Sequence, residues 1–122
     1  MSVEARCHCG SVRLVIEAPP AEVFLCGCSL CSRRGMLWAH YPEQDVGVDG
    51  NTEPYTWGDE TICFCHCPKC GCTTHWQSLR KGGHTGVNAR LIDSFAEAGC
   101  ENASYSFGGE AVPVRTLEGA NG

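Results

Sequence analysis

From Ser11 to Ala18 the chain alternates, with Val12, Leu14 and Ile16 falling on one side of the pattern and Arg13, Val15 and Glu17 on the other. A period of two sends successive side chains to opposite faces of an extended backbone, so this stretch predicts a strand with one buried face. AEVFLC (21–26), GMLWAHYP (35–42), EPYTWG (53–58), ETICFCHC (60–67) and TTHWQSL (73–79) are further apolar runs of strand length. They are rich in aromatic and β-branched residues and bounded by Gly, Pro, Asp or Asn, which favour turns. Helical spacing is scarce. SLCSRRG (29–35) predicts one helical turn ended by Gly35, and NARLIDSFAEAG (88–99) predicts a longer helix ended by Gly99. The expected fold is mainly β.

The chain has 122 residues, which fits a single domain spanning residues 1–122, with its core at about 3–110 and a loose, small and polar tail after Val112. Its 15 Gly and 6 Pro leave little room for long helices. Glu4 and Arg6 interrupt the N-terminal stretch, no apolar h-region follows, and nowhere do about 18 apolar residues run together, so no export signal or membrane span is expected. The expected location is the cytoplasm.

That location changes the reading of the 11 cysteines. A reducing compartment, and an odd count, favour metal-bound thiolates over a disulfide framework. The formal charge of -5 with only 9 Lys+Arg, made more acidic by every thiolate, argues against holding phosphate backbones. No nucleic-acid or membrane partner is therefore expected.

Seven cysteines stand at ligand spacing: Cys7 and Cys9 in CHCG, Cys26, Cys28 and Cys31 in CGCSLC, and Cys67 and Cys70 in CPKCG. A CxxC turn can aim two sulfurs at one point, and CxC does so from a strand end. Seven divides into four and three. Cys7, Cys9, Cys67 and Cys70 would close a loop of about sixty residues and build a structural site. Cys26, Cys28 and Cys31 would leave one metal position for water or substrate. Spacing does not exclude Cys65 or Cys72 from either site, so two closed structural sites in a non-enzymatic binding module stay open as the alternative. Cys63 and Cys65, in phase with Cys67, are expected to pack beside the metal as small apolar groups. Cys100 reads as a free thiol. His8 and His66, each in the middle of a CHC, should point away from their neighbours' metal, and His40 could line the open site, a core or rim histidine being the alternative.

Together RCHCGSVRLVI, CGCSLCSRRG, CPKCGCTTHW and GVNARLID resemble the successive motifs of the glutathione-dependent formaldehyde-activating enzyme family, which also includes centromere protein V relatives. The likeness spans about residues 5 to 95. It implies a small β-tent fold with two Zn2+ per chain, a structural one on Cys7, Cys9, Cys67 and Cys70 and a catalytic one on Cys26, Cys28 and Cys31. It further implies carbon–sulfur lyase or synthase chemistry of the S-(hydroxymethyl)glutathione synthase type, with a small thiol such as glutathione and a small aldehyde such as formaldehyde as partners. Glutathione carries two carboxylates. Arg33 and Arg34 are the candidates to bind them, with Arg90 a further cation, because a guanidinium meets a carboxylate through two parallel hydrogen bonds. Trp38, Tyr41 and Trp76 are candidate pocket walls. Nothing in the pattern fixes an oligomeric state.

Overall fold

The computed structural model describes residues 2–80, 83–98 and 104–117. In chain order its elements are β1 (Val3–Arg6), β2 (Arg13–Ile16), β3 (Val23–Cys26), α1 (Ser29–Arg34), β4 (Leu37–Pro42), β5 (Val46–Asp49), β6 (Glu53–Tyr55), β7 (Ile62–His66), β8 (Thr73–Ser78), β9 (His84–Asn88), β10 (Phe95–Ala98), β11 (Ser104–Phe107), β12 (Glu110–Val112) and β13 (Val114–Leu117). Short 3-10 turns cover Glu43–Asp45 and Ala89–Leu91. The protein is mainly β and forms one small domain.

Seven strands make the largest sheet, in the order β13-β3-β4-β9-β8-β7-β6. Two three-stranded sheets, β1-β2-β5 and β10-β11-β12, complete the fold. The alternation of β2 survives intact: Val12, Leu14 and Ile16 are fully buried while Val15, on the opposite face, is 48% exposed. They join Val23, Leu37, Val87 and Ile92 in a core to which all three sheets contribute.

The same period of two builds a second, smaller cluster on the other face of the large sheet. In β4, Leu37, Ala39 and Tyr41 enter the main core while Trp38 packs with Cys28, Cys31, Met36 and Phe64. Phe24 and Cys26 of β3, Ile62 of β7 and Trp76 of β8 are half-buried against that second cluster. One sheet therefore supports a hydrophobic core on one side and an aromatic floor on the other.

Two expectations are corrected. Residues 88–98 do not form a helix: β9 ends at Asn88, a 3-10 turn follows, and β10 begins at Phe95; the expected end at Gly99 lies outside the described residues. Long-range bonds take the backbone away from helical geometry there. Asn88 donates its side-chain amide to the Thr73 carbonyl at 2.8 Å, and Ile92 bridges antiparallel to Ala5. Val114–Leu117, expected in a loose tail, instead pair in parallel with Val23–Cys26 as an edge strand, braced by an Arg115–Glu22 ion pair at 2.7 Å. The expected turn at residues 29–34 is present as α1, with Gly35 at φ 64 closing it in the left-handed region that glycine enters without strain.

Candidate functional site

Two groups of cysteines converge, each with its sulfurs within 4.8 Å of one another: Cys7, Cys9, Cys67 and Cys70, and separately Cys26, Cys28 and Cys31. Either group could hold a metal ion.

The first group is made from two tight turns brought together by the core. After β1 the Gly10 N–H closes back on the Cys7 carbonyl at 3.1 Å, and after β7 the Gly71 N–H closes on the Cys67 carbonyl at 2.9 Å. Both glycines have positive φ, 80 and 82, which lets each turn fold sharply behind its sulfurs. The Cys9 sulfur lies 3.7 Å from that of Cys7 and 3.6 Å from that of Cys67. Four sulfurs about 2.3 Å from a central zinc sit about 3.8 Å apart along each tetrahedral edge, so the spacing fits such an ion. The Val12 N–H points at the Cys7 sulfur at 3.4 Å, and the Ser11 hydroxyl lies 3.0 Å from the Cys9 sulfur and 3.3 Å from that of Cys67. Ser11, followed by the backbone N–H groups of Cys70 and Lys69, draws the Cys67 thiol down to about 5. These donors favour the thiolate that a metal requires.

The second group rests on the junction of β3 and α1. Cys28 caps the helix, its sulfur accepting the Cys31 N–H at 3.3 Å, while the buried Trp38 indole N–H donates to the Cys31 sulfur at 3.3 Å. Burial first, and the neighbouring Cys26 and Cys28 sulfurs after it, push the Cys31 thiol well above its ordinary value; burial also raises Cys26. At Cys28 burial works the same way, yet the Cys31 N–H and the adjacent thiols outweigh it, and this thiol is lowered. Three crowded sulfurs with N–H donors aimed at them suit a cation, whose charge offsets their mutual repulsion.

A cleft of about 280 Å³ opens over this group. Trp38, Trp57, Ile62, Phe64 and Trp76 line it, with His40 and Asp59 toward the solvent. His40 stacks on Phe24 at 4.5 Å and meets the edge of Trp76 at 5.5 Å. Burial against these rings, aided by His84, holds its imidazole below the ordinary value, so it is uncharged near neutrality. Trp76 lies over Gly86 of β9, its cross-strand partner, and a Cβ at that position would overlap the indole.

The remaining candidates fall elsewhere. Among the described residues, neither Cys65 nor Cys72 joins either sulfur group. Cys63 and Cys65 also sit apart from both, their own sulfurs 4.0 Å from each other, and burial raises the Cys65 thiol to about 11. Cys100 lies outside the described residues. No histidine belongs to either group; His8 is exposed and the His66 Nε2 lies 3.7 Å from Glu53. Arg33 folds back onto its own helix, donating to the Ser29 hydroxyl at 2.6 Å. Arg34 donates to the Thr73 hydroxyl at 3.0 Å, lies over the Tyr55 ring and faces a different cleft, which also holds Arg90. Tyr41 is a core residue whose hydroxyl donates to the Ala18 carbonyl at 2.9 Å, so of the three expected aromatic walls Trp38 and Trp76 line the cleft and Tyr41 does not. Sequence reasoning missed Trp57, Asp59, Ile62 and Phe64 as site residues. The alternation of Ile62 and Phe64 against Cys63 and Cys65 was the available signal, since it puts the two apolar residues on a common face.

A family model described as glutathione-dependent formaldehyde-activating enzyme matches residues 2–107. Among solved structures, the crystal structure of a Rhodobacter sphaeroides protein is similar, with 30% sequence identity, a TM-score of 0.68, and coverage of 91% of this chain and 98% of that one. No curated protein sequence matches.

Proposed function

This chain belongs to the glutathione-dependent formaldehyde-activating enzyme family, and from that membership we propose that it is a zinc-dependent carbon–sulfur lyase or synthase acting on the adduct of a small thiol with a small aldehyde. The observation that carries the reading is the contrast between a three-sulfur group whose members all line an aromatic cleft and a four-sulfur group that supplies a full tetrahedral set by itself. Cys7, Cys9, Cys67 and Cys70 would hold a structural zinc. Cys26, Cys28 and Cys31 would hold the catalytic one.

When bound at Cys26, Cys28 and Cys31, zinc supplies the positive charge that keeps an incoming thiol deprotonated at neutral pH. The protein's own groups do the rest. The Cys31 N–H and the Trp38 indole N–H fix two of the three ligand sulfurs. The aromatic walls shed water from the reacting atoms and orient them, which is the larger part of the advantage when two small molecules must meet. In the forward direction the thiol sulfur bonds to the carbonyl carbon and the thiol proton ends on the carbonyl oxygen. In reverse the carbon–sulfur bond breaks and the proton returns to sulfur. His40, which lines the cleft, would carry that proton at an imidazole nitrogen.

The test couples metal content to turnover. Purified protein should carry two zinc ions per chain, and Cys28→Ser should lose one of them together with exchange between S-(hydroxymethyl)glutathione or related adducts and their free thiols and aldehydes. Loss of the ion with every adduct still turned over at the wild-type rate refutes a catalytic role for the three-sulfur site.

A further inference from the structure

The charges around the cleft bear on which thiol it takes. Glutathione is a peptide with two carboxylates, and burying a carboxylate without a partner is costly. Among the described residues lining the cleft there is no lysine or arginine, and the one carboxylate is that of Asp59. The arginines nearest in sequence are turned to other tasks, Arg33 on its own helix and Arg34 on Thr73 and Tyr55. Arg80 lies in the adjoining groove that shares Asp59, Ile62 and Trp76, where Asp59 already draws on its charge. The walls, in contrast, are three indoles, a phenyl ring and an isoleucine, surfaces that reward an apolar or aromatic guest.

We infer that the adduct accepted by this cleft is built on an apolar or aromatic thiol rather than on glutathione, with Asp59 acting at the rim as a specificity residue that disfavours anions. This rests on the function proposed above. It places the chain's substrate among neutral, hydrophobic hemithioacetals.

All 3 tryptophans of the chain, Trp38, Trp57 and Trp76, line the cleft, so their fluorescence reports occupancy directly, without turnover. Zinc-loaded protein is titrated in parallel with 2-phenylethanethiol and with glutathione under reducing conditions. The expected result is quenching by 2-phenylethanethiol with a Kd at least about tenfold below that of glutathione. Asp59→Asn keeps the Oδ1 acceptor used by the Thr61 N–H and hydroxyl. It should improve glutathione binding by about two- to threefold, the scale of an exposed charge, and leave 2-phenylethanethiol unchanged. Trp76→Ala should abolish the preference by weakening the aromatic thiol alone. Glutathione binding as tightly as 2-phenylethanethiol overturns the substrate inference and leaves the proposed chemistry standing. If neither thiol binds, and Cys28→Ser changes neither titration, the three-sulfur site takes no thiol and both readings fall.

Discussion

The two sulfur groups are built from the same spacing motifs and differ in what surrounds them. Around Cys7, Cys9, Cys67 and Cys70, two turns closed by Gly10 and Gly71 wrap the sulfurs, and Cys7 and Cys67 belong to the main hydrophobic core. Around Cys26, Cys28 and Cys31 the protein supplies one fewer sulfur and replaces the missing wall with a cleft. The difference is in ligand supply rather than burial, since Cys9 is exposed: one group offers a metal four sulfurs, and the other offers three and leaves a position facing the cleft. CxC and CxxC spacing alone does not distinguish the two, because the difference lies in elements that arrive from elsewhere in the chain.

The sharpest way to break this comparison is to remove one sulfur from each group. Cys67→Ser should leave the chain without a cooperative unfolding transition, since structural zinc binding is worth about 10–16 kcal/mol in small peptides and a whole domain is stable by only about 5–15 kcal/mol. Far-UV and near-UV circular dichroism against temperature, with metal analysis, would show it. Cys28→Ser removes a sulfur too, but serine keeps the acceptor that caps α1 for the Cys31 N–H. The fold should survive with a much smaller loss of Tm, and one ion should be lost. Equal destabilisation by both variants would mean that the two groups share one structural role.

Much of this contrast was already legible in the sequence, for a physical reason. Ligand pairs and strand faces are local: Cys26 and Cys28 share a side of an extended chain, and Val12, Leu14 and Ile16 share a face, whatever the rest of the chain does. The grouping of Cys7 and Cys9 with Cys67 and Cys70 was suggested by the division of seven into four and three, but spacing left Cys65 and Cys72 open, and it was the family resemblance that implied the two ligand sets. What stayed hidden depends on non-local pairing. The segment after Asn88 has helical spacing at Leu91, Ile92 and Phe95, but bonds from Asn88 to Thr73 and from Arg90 to Gly35 hold it in a 3-10 turn and a strand. Trp57 and Asp59 reach the cleft because β6 and β7 are placed at one end of a seven-stranded sheet, an order that no local pattern encodes. Arg33 and Arg34 follow Cys31 closely in sequence, yet the helix turns them away from the cleft.

Acid should separate the groups more gently. The Cys67 thiol, drawn down to about 5 from an ordinary 9.0, gives stability that is complete above pH 9, shrinks as pH falls and is gone below about 5. The Cys31 thiol is shifted the other way, so the protonated form is favoured by folding and its contribution is lost only as pH rises above the ordinary value. Protons therefore compete better with metal at Cys31. Lowering the pH of protein loaded with zinc at both groups, in the presence of a chromogenic chelator, should release the ion of the three-sulfur site first, and Cys28→Ser should lack that early step. Release of both ions in a single step would erase the distinction. Gly86→Ala acts on the cleft alone: its methyl group would overlap the Trp76 indole, an overpacking worth about 1–3 kcal/mol. Thiol binding should weaken, while the Cys7–Cys70 group keeps its metal.

The smallest expected effect tests whether one hydrogen bond tunes the open site. Trp38 donates its indole N–H to the Cys31 sulfur from a position in β4 where the ring is almost fully buried, so the donor has no water to fall back on and the sulfur no substitute. Trp38→Phe keeps an aromatic ring against Phe64, whose centroid lies 6.0 Å from that of Trp38, and removes the N–H. Partners of this kind, one shell out from the metal, are worth about 10–100-fold in metal affinity, and a single neutral donor at 3.3 Å belongs near the lower end. Competition with a chelator of known affinity should therefore show the three-sulfur site weakened about tenfold and the four-sulfur site unchanged. The spectrum of a cobalt-substituted protein adds a readout that simple loss of packing would not move, because the sulfur-to-metal charge-transfer band shifts when a thiolate loses its donor. An unshifted band with unchanged affinity would leave Trp38 as a wall of the cleft and nothing more.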